Sequence, residues 1–329
     1  MKIVVTGAAG FLGNNLIRKL ILRDDEIIAT DLHATSARSL ADISITKIDA
    51  DILDETKMTA LMQDCDIVFH TAAKVSLFPD HDKSMQKINV DGTRSVANAA
   101  LKAKVKKFIH ASSIHALSKS PMKETITETR PHSNAEDDFD YDLTKAQADL
   151  MLQEMATQQG LPLIIIYPTG LLGPYDFQPS LSGLAYKDYF HKKILPAISG
   201  GHRYVDVRDV ADALVACIEH GKIGGRYIIA GENWIPIKKL AKLFSEVGGK
   251  KGVVVNSPLW LAKLFWPLQV WLHKLAKKPF PFSKESLRQL VTHKHISIEK
   301  AKQELHYRPR PIRETALAMK EWFQHSISD

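Results

Sequence analysis

The chain opens on a short apolar run, Lys2–Thr6, followed by Phe11–Arg23, where apolar residues recur at helical spacing. The alternation then repeats. Glu26–Asp31, Ser44–Asp49, Asp66–Thr71 and Lys106–Ser112 read as strands, and Asp82–Ala103 as an amphipathic helix before the last of them. Further on, Leu161–Tyr167 and Arg226–Ala230 read as strands with a helix over Asp209–Glu219 between them. Runs as uniformly apolar as IVV and IVF suit strands covered on both faces, and strands separated by helices require right-handed crossovers into a parallel sheet. The pattern predicts an α/β fold with a doubly wound parallel sheet.

It breaks twice. Gly173–Gly201 is rich in Gly, Pro and aromatic residues and is expected to leave the sheet and cover its edge. After Gly231 the pattern turns mainly helical, with Pro236 and Pro258 each opening a helix and Pro311–Phe323 closing the chain. These breaks divide the 329 residues into a large domain of residues 1–172 and 204–231 and a smaller, mainly helical lobe of 173–203 and 232–329.

Composition narrows the class. A 45% hydrophobic, 25% charged chain with 17 Gly and 15 Pro can bury a sizeable core and is neither collagen-like nor disordered. Two cysteines, Cys65 and Cys217, make no disulfide framework, and no export signal precedes the first strand, so a reducing, cytoplasmic setting is expected. The net charge of +7 sits at one end: residues 1–231 hold 26 basic against 29 acidic side chains, residues 232–329 hold 18 against 8. Basic residues scattered along helices read first as a solvated face. No nucleic-acid-binding module accompanies them, and no nucleic-acid partner is expected.

The chemistry begins at Thr6-Gly7-Ala8-Ala9-Gly10-Phe11-Leu12-Gly13, between the first strand and the first helix. That is the context a dinucleotide-binding turn requires: Gly7 for the tight turn, Gly10 for backbone approach to the pyrophosphate, and Gly13 for close packing of helix on strand. The helix N-terminus then faces the phosphates. Asp31 ends the second strand, where a carboxylate binds ribose hydroxyls and repels a 2′-phosphate, so NAD is favoured over NADP.

Two Tyr-x-x-x-Lys pairs occur. Tyr141–Lys145 opens a predicted amphipathic helix between the fifth and sixth strands, one helical turn apart beside the strand ends, whereas Tyr189–Lys193 falls in the inserted segment and is read as a lobe or surface residue. The glycine motif, Ser112-Ser113 after the fifth strand and Tyr141/Lys145 together resemble the extended short-chain dehydrogenase/reductase family. Asp51-Ile52, His70-Thr71-Ala72-Ala73, Asn89–Thr93, Pro168 and Val205–Val210 extend the resemblance in chain order across residues 1–231.

The resemblance implies a Rossmann-type NAD-binding domain and a substrate-binding lobe. Tyr141 would be the general acid/base, with Lys145 tuning it and holding the nicotinamide ribose, and Ser113 would bind the substrate oxygen. It implies cofactor contacts from Gly7, Gly10, Phe11, Leu12, Gly13, Asp31, Asp51, Ile52, Ala72, Ala73, Lys145 and Pro168. A neighbouring ammonium and a positive nicotinamide would bring Tyr141 down towards the working pH. Ser112 is expected to support the turn, and Asn89 to pack by bonding backbone or else to relay protons. His70, His110 and His115 lie near the predicted site without ligand spacing, so no metal is expected.

Ser113 is followed by Ile114 and His115, without the acidic residues of nucleotide-sugar dehydratases. His202-Arg203-Tyr204 stands where nucleotide-sugar epimerases usually carry Arg-Asp, and Arg203 could partly substitute. Ala72–Ser76, Gly173–Pro179 and Gly231–Asn233 resemble the dihydroflavonol reductase, aldehyde reductase and 3β-hydroxysteroid dehydrogenase-like branch. The expectation is interconversion of an alcohol with a ketone or aldehyde on a fairly apolar small molecule, with Val75, Ile114, Thr169 and Tyr175 in the pocket. The alternatives are an NAD-retaining sugar or nucleotide-sugar epimerase, and a non-catalytic nucleotide-sensing regulator, a class that generally loses the tyrosine and lysine. A homodimer is expected by resemblance. Residues 258–278 mix three Trp with leucines and lysines, and read as a roof over the cleft in preference to a weak peripheral membrane contact.

Overall fold

The computed structural model describes residues 1–76, 80–134, 139–178, 180–261, 264, 287, 288, 290 and 292–326. Seven parallel strands form the main sheet: β1 (Lys2–Thr6), β2 (Glu26–Asp31), β3 (Thr46–Asp49), β4 (Ile67–His70), β5 (Lys107–Ala111), β6 (Leu163–Pro168) and β11 (Arg226–Ile229). Their order is β11-β6-β5-β4-β1-β2-β3. The order reverses between β1 and β4, so the carboxyl ends of these two strands open a crevice, the place where such sheets bind ligands. Every strand on the sequence-predicted list is present, most of them trimmed by a residue or two at the ends.

Helices α1 (Phe11–Leu20), α2 (Glu55–Leu61), α4 (Thr93–Lys102), α5 (Asp140–Gln159) and α7 (Val207–Glu219) flank the sheet. Ahead of α4, a short α3 (Ser84–Gln86) runs into a π-turn at Lys87–Gly92, so the helix predicted over 82–103 is continuous in outline but widened in the middle. The core joins sheet and helices, with Val4, Phe69, Phe108, Ile164 and Ile228 buried in it. α7 is anchored at its end by Lys107, whose Nζ donates to the carbonyls of Cys217 (3.0 Å), Ile218 (2.8 Å) and Gly221 (3.0 Å).

The inserted segment does leave the sheet, through β7 (Leu171–Leu172), α6 (Leu181–Tyr189) and β8 (Ile194–Ile198). It does not cover the sheet edge. β8 pairs in parallel with β13 (Val253–Ser257), and β9 (Gly201–His202) pairs antiparallel with β12 (Ile235–Pro236), so the C-terminal third carries strands that its helical pattern did not predict. These paired strands are short, and much of β13 is exposed, which leaves little hydrophobic alternation to read. A second hydrophobic cluster gathers Tyr186 and Phe190 with Leu240 and Phe244 from α8 (Ile237–Val247) and Met319 and Phe323 from the last helix, Ile312–Ser326. Edge strand β11 is instead met by α9 (Glu299–Glu304) and by Glu128, whose Oε1 accepts Ile228 N–H at 3.0 Å. The last helix is α10.

Candidate active site

The turn after β1 is shaped by what cannot be added to it. Gly7 has φ +70°, and a Cβ there would stand 2.5 Å from the Ala72 nitrogen in the loop after β4. A Cβ on Gly13 would meet Gly7 O at 2.1 Å, so the first turn of α1 rests directly on the glycine loop. Gly10 precedes α1 with extended ψ and no side-chain cap. The result is a backbone cradle at the positive end of a helix whose first N–H groups have no intrahelical partner, which fits a pyrophosphate. Phe11 and Leu12 begin α1 beside it, both partly buried.

Asp31 closes the adjoining side. Its Oδ2 accepts Ala9 N–H at 3.1 Å and its Oδ1 accepts Leu32 N–H at 2.8 Å, so the carboxylate braces the glycine loop and caps its own strand end. Asp51 is exposed and accepts Leu53 N–H at 2.9 Å, while Ile52 is buried against Gly92. Ala72 and Ala73 follow β4, and Pro168 ends β6, all at the carboxyl edge of the sheet.

The reacting end lies between β5 and α5. Ser113 caps a 3₁₀ turn at Ile114–Ala116, and its Oγ accepts His115 N–H at 3.2 Å, which leaves the hydroxyl proton to be donated elsewhere. Tyr141 is buried, and Ser113 favours its ionised form. One turn along α5, Lys145 Nζ donates to Ala111 O at 2.9 Å. Burial pushes Tyr141 up to about 12 against the lowering effect of Ser113, and pushes Lys145 down to about 8. Among the chain's own groups, then, burial outweighs the lowering of Tyr141 that the sequence predicts, and a cationic ring beside it would have to supply that lowering.

A second carboxylate, not read from the sequence, sits one further turn along. Asp149 is fully buried, accepts Ser112 Oγ–H at 2.8 Å and lies 3.5 Å from His110; burial raises it to about 6 against the pull of Lys145. Tyr141, Lys145 and Asp149 thus share one face of α5 at a spacing of four, a signal legible in the sequence. The helix is not simply amphipathic: its early turns bury Asp142, Thr144, Lys145 and Asp149 as well as apolar residues, each polar group met by a neighbour from β5, the π-turn, the 3₁₀ turn or the loops. His70 bonds Thr6 and Thr93 and stacks on His110, and burial keeps both rings neutral.

Asn89 binds both backbone groups of Lys74, accepting N–H at 2.8 Å and donating to the carbonyl at 3.0 Å, and also donates to Thr144 Oγ1 at 3.1 Å. It pins the loop after β4 to α5. Tyr189 lies in the second cluster and donates to Pro196 O at 2.5 Å, away from the strand ends.

The pocket candidates separate. Ile114 and Thr169 are buried beside Ser113 and Pro168, with Thr169 Oγ1 unpartnered, whereas Val75 is 68% exposed on the loop after β4. Tyr175 lays its ring over Arg18, 4.1 Å from the guanidinium carbon, while its carbonyl accepts from Asn14 Nδ2; it packs on α1 and not against Tyr141. Arg203 is committed to three carbonyls, those of Gly231, Glu232 and Ile296. Of residues 258–278, only 258–261 and 264 are among the described residues, and both readings of that segment lie outside what is described; Trp260 and Leu264 are exposed. No described helix is long and apolar enough to cross a membrane, and no group of three metal-ligating side chains occurs among the described residues.

Comparison with known proteins places the chain among related enzymes. The chain is 27% identical to the "Sterol demethylase protein B" of Methylococcus capsulatus, with 98% of each covered, and 27% identical to a "Putative dihydroflavonol 4-reductase" of Synechocystis, covering 98% of this chain and 94% of the other. The crystal structure of gox2253 superimposes with a TM-score of 0.85 at 29% identity, covering 98% of both chains. Residues 3–230, the span holding the glycine cradle, Ser113, Tyr141 and Lys145, match the family described as "NAD dependent epimerase/dehydratase family". The chain belongs to that family, as an NAD(P)-dependent enzyme of the extended short-chain dehydrogenase/reductase type.

Proposed function

We propose that this protein interconverts a secondary alcohol and a ketone, or an alcohol and an aldehyde, on a fairly apolar small molecule, with NAD as the hydride partner. The observation that carries the reading is the burial of Tyr141 at the start of α5, with Lys145 held one turn along by Ala111 O at the end of β5, just ahead of Ser113. NAD, held on Gly7, Gly10 and Gly13 with its adenosine ribose towards Asp31, would accept or deliver the hydride. The chain's own residues do the rest. Ser113 donates its free hydroxyl proton to the substrate oxygen and stabilises the charge that develops there. Tyr141 removes the carbinol proton in oxidation and returns it in reduction, and Lys145 holds the ribose and favours the phenolate. Residues 173–203 and 232–329 are read as the substrate lobe, with Ile114 and Thr169 lining the reacting end.

The commitment of Arg203 to three carbonyls favours this reading over a nucleotide-sugar epimerase, since Arg203 was the residue available to engage a nucleotide. The test is Tyr141→Phe, assayed by NADH absorbance on a panel of alicyclic and aryl alcohols and by calorimetric NAD binding. Turnover is expected to fall about 1,000-fold with NAD affinity unchanged, while Tyr189→Phe keeps the wild-type rate. Full activity in Tyr141→Phe, or an equal collapse in Tyr189→Phe, overturns the assignment.

A further inference from the structure

The paired strands β8 and β13 have two unlike faces. Leu195 and Ala197 of β8 are buried, and Val254 of β13 packs with Leu195 in the second hydrophobic cluster, beside Phe244 of α8. Side chains alternate along a strand, so the residues between these point the other way. The parallel register sets Ile194 beside Val253 and Pro196 beside Val255. Ile194 is 65% exposed, Val253 67% and Val255 53%, and Pro196 is exposed with them. Four apolar side chains, two from each strand, thus form one outward face open to solvent. Three residues beyond β13, Trp260 is exposed as well.

Single apolar residues scattered on a surface need no explanation, but a contiguous apolar face marks an interaction surface. Its rim identifies the partner. Because the strands run parallel, their N-terminal ends lie together, and each is entered through two lysines: Lys192 and Lys193 ahead of β8, Lys250 and Lys251 ahead of β13. The Lys193 carbonyl accepts Val253 N–H at 2.8 Å, which joins the two chains where the strands begin. All four lysines are exposed. Lys192 is paired with Asp188, whereas Lys193, Lys250 and Lys251 have no ion pair among the described residues. A second copy of this face would bring these ammonium groups more lysine; an anionic lipid surface supplies the missing charge, accepts the apolar side chains at the acyl boundary and suits an indole at headgroup level.

We propose that the outward face of β8 and β13 docks this protein on an anionic phospholipid membrane, with Ile194, Pro196, Val253 and Val255 seated in the interface and Lys193, Lys250 and Lys251 on the headgroups. The contact is peripheral and needs no spanning helix.

Vesicle sedimentation tests this with the full-length protein. Vesicles of phosphatidylglycerol and phosphatidylcholine in equal parts are compared with vesicles of phosphatidylcholine alone, in low and in high salt. The wild type is expected to sediment with the mixed vesicles in low salt, and far less in high salt or with the neutral vesicles. Each lysine at an anionic surface changes binding about fivefold, so the triple variant K193Q, K250Q and K251Q is expected to bind about 100-fold more weakly. The double variant V253S and V255S is expected to lose about tenfold, and K57Q with K123Q, exposed lysines of the large domain, to bind as the wild type does. Every replaced side chain is exposed, and an unchanged urea midpoint shows that each variant is folded. Absence of binding to the mixed vesicles, equal binding to neutral ones, or full binding by the triple and double variants overturns the inference. So does a lipid-free dimer that V253S with V255S dissolves, which would assign the face to a second copy.

Discussion

Gly13→Ala puts the glycine cradle to a quantitative test. The added Cβ would stand 2.1 Å from Gly7 O, 2.8 Å from Gly7 C and 2.9 Å from Ala8 Cα, all of them backbone atoms that cannot swing aside as a side-chain end would. Carbon needs about 3.5 Å to such an atom, so the start of α1 has to retreat from the loop by roughly 1 Å. Alanine gains up to about 1 kcal/mol of helix propensity over glycine, while overpacking against rigid structure costs about 1 to 3 kcal/mol. With three backbone clashes the cost lies at the upper end, and the expected net loss is about 2 kcal/mol. The same retreat carries the N–H donors of α1 away from the pyrophosphate, and losing one charge-assisted hydrogen bond weakens NAD about 10- to 100-fold. Gly10→Ala is the comparator: its Cβ meets only Gly7 O, at 3.2 Å, so it should retain nearly full stability while still blocking close approach of the phosphates. Urea unfolding followed by tryptophan fluorescence and calorimetric NAD titration read the two effects separately. Wild-type stability and NAD affinity in Gly13→Ala would refute the packing argument.

Three further outcomes follow from the structure. Asp31→Ser removes the carboxylate that repels a 2′-phosphate and should move the NAD to NADP affinity ratio towards NADP by tenfold or more, measured by paired titrations, with some loss of NAD affinity because Ala9 N–H loses its acceptor. Lys107→Met leaves the carbonyls of Cys217, Ile218 and Gly221 without their shared donor and should lower the unfolding free energy by about 2 kcal/mol, read from the urea midpoint. His115 and Lys119 hold Asp142 down at about 2 against the opposing effect of its burial, below an ordinary value of 3.8. A depressed acid stabilises the fold above its unfolded pKa, so this contribution of about 2 kcal/mol is present above pH 4 and is lost as the pH falls towards 2. Asp142→Asn should remove that pH dependence from acid unfolding curves; a curve that still falls between pH 4 and 2 by the wild-type amount would show that the carboxylate is not held in this way.

Much of the fold was legible in the amino-acid order because its physics is local. Apolar runs such as Lys2–Thr6 and Ile67–His70 can be buried only on both faces, and the crossovers between them admit one hand, so the doubly wound sheet follows from periodicity. The glycine turn was legible for the same reason, since a positive φ and two close backbone approaches leave only glycine at Gly7 and Gly13. Ser113, Tyr141 and Lys145 were recognised by motif, and the fold supplies the reason they can act together: the end of β5 and the start of α5 lie side by side. What the order could not show is pairing between distant segments. β8 finds β13 and Glu128 reaches β11 because the chain returns to them, and no local pattern records that meeting. Nor could it show which charges would be buried. Asp142 and Asp149 read as ordinary residues of an amphipathic helix until Ser112, His115 and Lys119 close around them. The residues themselves determined the sheet and the glycine cradle; the tertiary structure decided the desolvation that raises Tyr141 and Asp149 and lowers Lys145, because desolvation depends on neighbours that only the folded chain assembles.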